Sequence, residues 1–148
     1  MTEAATAQEI TITRVYNAPR ELVWKAWTEP EQLVRWWGPP GWSTALETVT
    51  MEVRPGGAFR LTSVSDEGAE MPVVGVYREV VEPERLVLEE PAEHAWHKGS
   101  VSVLTLTDLG DGRTEMAMRA TIQTTDEMRG HAEGGMRATF DRLAEHLG

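Results

Sequence analysis

The chain has 148 residues, 41% of them apolar and 26% charged, and a net charge of −10. That length suits one domain with its own hydrophobic core. The acid excess argues against nucleic acid and anionic membrane surfaces as partners, because both are held mainly by Lys and Arg. With no cysteine in the sequence, disulfides, thiolate metal sites and a Cys nucleophile are excluded. No apolar run approaches the roughly 20 residues of a membrane-spanning helix, so no membrane insertion is expected. The N-terminus MTEAATAQE has neither a basic start nor an apolar stretch of the signal-peptide kind, and the expected location is cytoplasmic.

Residues 1–8 are expected to be a flexible tail, ahead of a single domain over 9–148. Glu9 to Val15 reads as a strand, with Ile10, Ile12 and, less cleanly, Val15 on one side. Pro19 fits the first position of a helix. Leu22, Val23, Ala26 and Trp27 then recur at helical spacing. Thr28 and Glu31 have the spacing of a capping box for a second short helix, whose apolar side is Leu33, Trp36 and Trp37. Gly38 stops that helix and Pro39-Pro40 forbid its continuation.

A strand pattern follows from Ala45 to Arg54, broken at Pro55-Gly56-Gly57. Further strands are expected over Ala58–Val64, Pro72–Val81, Arg85–Glu90, Ser100–Thr107 and Thr114–Gln123. A loop over Pro91–Gly99 holds His94, Trp96 and His97. Short turns between successive strands imply an antiparallel meander. The chain closes with one long helix, capped by Thr124 and Glu127, whose apolar stripe runs from Met128 through Ala132, Gly135, Met136, Thr139, Phe140 and Leu143 to Leu147. Gly134-Gly135 in its middle costs about 1 kcal/mol per glycine relative to Ala, and calls for a close neighbour or a bend over a cavity. The fold class is α+β: a strand, two short helices, a curved antiparallel meander and a long C-terminal helix.

Four segments carry a resemblance. They are NAPRELVWKAWTEPEQLVRWWGP, RPGGAFRL at Arg54–Leu61, GVYREVVEPERLVL at Gly75–Leu88 and GGMRATFDRLAEHL at Gly134–Leu147. Together they resemble the START-like helix-grip superfamily. The closer match is the branch similar to the C-terminal domain of the activator of the 90-kDa heat-shock protein ATPase. The resemblance implies a cavity between the curved sheet and the last helix. It also implies a small hydrophobic ligand of lipid, steroid or polyketide-like kind. Cyclase or hydrolase chemistry in the same cavity, or a role as a chaperone-interacting module, is the alternative it leaves open.

Within such a fold the two short helices close one end of the cavity. The side chains expected to meet the ligand are then Trp37, Trp42, Phe59, Tyr77, Trp96, Met118, Met136 and Phe140, with the Tyr77 hydroxyl as a polar anchor. Trp27 and Trp36 are expected in the core. His131 lies one position from the helix stripe. Glu79 shares strand parity with Gly75 and Tyr77, and it is a candidate acid or base together with His97. His94 and His97 have an H-x-x-H spacing but no third ligand in a recognisable pattern, so no metal is expected. His146 reads as a helix-end cation. No phosphate-binding or dinucleotide-binding glycine motif occurs, and no cofactor is expected. The Val and Leu residues of the outer sheet face would allow a homodimer.

Overall fold

The computed structural model describes residues 4–91 and 97–148. Its first strand, β1 (Thr6–Tyr16), begins inside the stretch expected to be a tail. The reason is a partner: Thr6 already pairs with Thr124, and the ladder runs unbroken to Tyr16 and Thr114. Ile10, Ile12 and Tyr16 point to the core, whereas Val15 has the opposite parity and is 49% exposed.

Helix α1 (Arg20–Thr28) follows, with the Pro19 carbonyl accepting from the backbone N–H groups of Leu22 and Val23. Its buried face is Val23, Trp24, Ala26 and Trp27, so Trp24 occupies the place expected for Leu22. The expected Thr28 cap of α2 (Pro30–Leu33) does not form. The Thr28 hydroxyl donates back to the Trp24 carbonyl at 2.8 Å, which ties it to the helix it ends. Trp36 and Trp37 leave α2 in a turn anchored on the Leu33 carbonyl, and Gly38 takes the left-handed conformation at φ 92°.

After a short strand β2 (Trp42–Thr44), the expected strand over Ala45–Arg54 is instead a 3₁₀ turn (Leu46–Thr48) and the two-residue β3 (Thr50–Met51). Thr48 explains the break. Its hydroxyl bonds the Ala45 carbonyl at 2.7 Å and accepts from the Thr62 N–H at 3.2 Å, giving the backbone a turn where a ladder was expected. Strands β4 (Ala58–Ser65), β5 (Glu70–Val81), β6 (Arg85–Glu90), β7 (Ser100–Asp108) and β8 (Thr114–Thr124) form the meander. The sheet order is β1-β8-β7-β6-β5-β4-β2, antiparallel throughout, with β3 also on β4. It is curved and receives the last helix on its concave face.

That helix, α3 (Asp126–Leu147), is capped by Thr125, whose hydroxyl accepts from the Met128 N–H. Thr124 is the last residue of β8 rather than the cap. Polar ties fasten α3 along β1. Arg14 meets Asp141 at 2.6 Å, the Tyr16 hydroxyl donates to the Phe140 carbonyl at 3.2 Å, and Arg129 donates to the Glu9 carbonyl at 3.1 Å. His146 sits 3.3 Å from the Gln32 side chain; burial, and then the Arg35 guanidinium, hold its pKa below the ordinary histidine value, which weakens its reading as a helix-end cation. Among the described residues no helix is long and apolar enough to cross a membrane.

Candidate functional site

Small side chains on the concave face leave a hole. On β4 the inward series runs Phe59, Leu61, Ser63 and on β7 Leu106, Leu104, Ser102, Ser100, while on β5 Gly75 stands between Tyr77 and Val73. Helix α3 has the matching change. Phe140 and Leu143 pack into the core, while Ala132 and Gly135 stand further towards its N-terminus. Since α3 is fastened to β1, its other flank spans the middle strands without filling the space beneath. The result is a cavity of about 350 Å³. Methyl-sized or absent side chains at facing positions are what open such a space in an interior that otherwise packs densely.

Aromatic and sulfur-bearing groups line most of it. Trp27, Trp37, Trp42, Phe59 and Phe140 form one side, with Met71, Met118, Met128 and Met136 around the remainder. The rings are fixed by one another: Trp37 meets Phe59 at 5.6 Å and Trp27 at 6.2 Å between centroids, and Trp27 meets Phe140 at 6.0 Å. Trp36 stands behind them in the core, its indole N–H donating to the Ala26 carbonyl at 3.0 Å. Arg142 bonds the carbonyls of Trp37, Gly38 and Trp42, the closest at 2.6 Å, and so ties α3 to the turn that carries two of the lining tryptophans.

Of the residues expected at the ligand, Trp37, Trp42, Phe59, Met118, Met136 and Phe140 all line this cavity. Tyr77 does not. It lies fully buried behind Phe59, 5.8 Å away, and its hydroxyl has no partner among the described residues. Burial raises its pKa above the ordinary tyrosine value, so the hydroxyl is neutral and does not serve as a cavity anchor. Trp96 and His94 lie outside the described residues. Glu79 is turned away: its side chain is 47% exposed and pairs with Arg85 at 3.0 Å. A bulge between Tyr77 and Glu79 inserts Arg78 and reverses the inside–outside alternation that parity assigns. Val80, rather than Glu79, packs on the core.

His97 lines the cavity, 3% exposed, with its Nδ1 accepting the Gly99 N–H at 3.0 Å. That bond places the ring proton of the neutral form on Nε2, which lies 3.9 Å from a Glu90 carboxylate oxygen. Glu90 follows Leu88 at strand spacing and lines the same cavity. Ser63, Ser100, Ser102 and Thr139 are the hydroxyls of the wall, and the Ser63 hydroxyl is already joined to that of Thr44 at 2.8 Å. Trp27, expected in the core and packed there, also reaches the wall, whereas Glu90, Gly75 and the serines had no place at the ligand by sequence. Small inward residues on three different strands are signals only once the strand order places them together.

A family model described as activator of Hsp90 ATPase homolog 1-like protein matches residues 17–148. The chain belongs to this family. Solved structures of other proteins share the fold over nearly the whole chain. A protein from Nitrosomonas europaea is 26% identical, with 94% of this chain and 93% of that one covered and a TM-score of 0.78. A protein from Arthrobacter aurescens is 22% identical, covers 96% and 90% of the two chains and has a TM-score of 0.83. A structure from Silicibacter pomeroyi titled as an AHSA1 protein is 19% identical, covers 95% and 97%, and has a TM-score of 0.81. No curated protein gives a significant sequence match.

Proposed function

We propose that the protein binds one small, mostly apolar molecule between the sheet and α3. The observation that carries this reading is the cavity of about 350 Å³, walled by tryptophan, phenylalanine and methionine. Ligand sites of small molecules span about 300–1,000 Å³ and are apolar with a few placed polar groups, which is the character of this one. Burial of apolar ligand surface against Trp37, Phe59, Met118, Met136 and Phe140 would supply the affinity. Glu90, His97 and the serines would orient the ligand.

Proton transfer on a bound molecule is the second reading, and the closeness of Glu90 to His97 favours it. The Gly99 N–H occupies the basic nitrogen of His97, which makes that ring a hydrogen-bond donor rather than a base. Activation of a chaperone ATPase, which the family's description brings to this chain, calls for an exposed apolar patch. The exposed valines of the outer face instead sit beside charges, Val74 opposite Arg60 and Val101 opposite Glu89.

Native mass spectrometry of the purified protein, followed by solvent extraction, tests the reading. The expected result is one small molecule per chain, bound from the cell extract or from a hydrophobic compound library. Ser102→Trp, which fills the hole from the β7 side, abolishes it. An unliganded mass under both conditions contradicts the reading.

A further inference from the structure

The hydroxyls of the cavity wall are of two kinds. Thr139 donates to the Gly135 carbonyl of its own helix at 2.8 Å, and Ser63 shares a hydrogen bond with Thr44 at 2.8 Å. Ser100 and Ser102 also line the cavity, yet their side chains make no hydrogen bond among the described residues. The ladders explain why. Ser102 lies between Leu88 of β6 and Ala120 of β8, neither of which carries a polar side-chain atom. Ser100 lies between Glu90 and Ile122. Glu90 and His97, also on the wall, already have partners.

Each serine hydroxyl offers one donor and two lone pairs. The two stand two residues apart on one face of β7, about 7 Å along the strand. They form a neutral polar strip in a space that is otherwise mostly apolar, opposite rings carried by other elements: Trp37 by the turn after α2, Phe59 by β4 and Phe140 by α3. A hydrocarbon seated there would leave both hydroxyls without a partner, and a buried unpaired polar group costs free energy. A ligand hydroxyl would use the donor and the acceptors of this strip alike.

We propose that the cavity takes a neutral alcohol, an apolar ring body carrying a hydroxyl on one edge, and that Ser100 and Ser102 are the residues that bind this hydroxyl. The proposal rests on the ligand-binding reading above and adds the polar function of the ligand and its orientation, oxygen to β7 and body to the rings.

Two uncharged probes test it. 2-Naphthalenemethanol and 2-ethylnaphthalene share one body and differ by a hydroxyl in place of a methyl. Equilibrium dialysis at pH 7 measures both on the parent and on Ser100→Ala/Ser102→Ala. The double variant is expected to bind the alcohol about fivefold more weakly, the effect of one neutral hydrogen bond, and to bind 2-ethylnaphthalene at least as tightly as the parent does. Thr121→Ala, which removes a hydroxyl from the outer face of β8, leaves both affinities unchanged. Circular dichroism checks the fold, and Ser102→Ala alone carries the same comparison if the double variant does not fold. A loss below about twofold for the alcohol, or an equal or larger loss for 2-ethylnaphthalene, overturns the proposal and leaves the binding reading standing. Failure of both probes to bind the parent overturns both.

Discussion

Tyr77 places a hydroxyl at 0% exposure with no partner among the described residues, an arrangement that costs free energy whatever the cavity does. Tyr77→Phe removes that group and keeps the ring against Phe59, so it is expected to raise stability by about 1 kcal/mol. Urea unfolding would register it as a higher midpoint at unchanged slope. The linkage has a definite sign. Burial raises the Tyr77 pKa, so the contribution of the neutral phenol is fully present below the free tyrosine value of about 10 and is lost as pH rises beyond it. The Tyr77→Phe protein should therefore lose less stability than the parent in that alkaline range, Tyr16 being common to both. The same strand explains why Glu79 was misplaced by parity. The run Val76-Tyr77-Arg78-Glu79 contains no glycine or proline to announce a bulge, and the extra residue becomes visible only in the pairing with Leu88 and Val87.

At the scale of elements, α3 departs most from an ordinary helix. Gly130, Gly134 and Gly135 all lie in its N-terminal half, and a Cβ at any of them would meet nothing within 4 Å. No close neighbour accounts for the missing side chains. At Gly135 the open space is the cavity itself. Gly134 is exposed and lies off the cavity wall, so Gly134→Ala is expected to stabilise the helix by about 1 kcal/mol, read as a higher melting temperature, with ligand affinity unchanged. Helix existence was legible from the stripe of Met128, Met136, Phe140 and Leu143. Its cap was displaced by one residue, because two adjacent threonines compete and the ladder partner Thr6 claims Thr124 for β8. The segment from Ala45 to Arg54 was legible as extended chain, yet the Thr48 hydroxyl turns it into a 3₁₀ turn followed by one short strand.

Across the whole molecule, element order and the closing helix could be read from periodicity and turn residues, and the four resemblance segments pointed to the same architecture. The cavity could be read only in part. Large inward residues such as Trp37, Phe59, Met118 and Phe140 were legible as inward, whereas the hole beside them depends on what is small. Gly75, Ser102 and Gly135 are far apart in sequence and become neighbours of one space only through the sheet order and the ties between α3 and β1. That space is the centre of the account, and Trp27, Trp37 and Trp42 on its wall report on it directly. A titration of isotope-labelled protein with 2-naphthalenemethanol, followed by two-dimensional NMR of indole N–H and methionine methyl groups, tests it most directly. The account predicts saturable shifts at Trp27, Trp37, Trp42, Met118 and Met136, with Trp24 and Met116 unmoved. Shifts confined to Trp24, Met116 or the outer sheet face, or no shift at any of these groups, would contradict it.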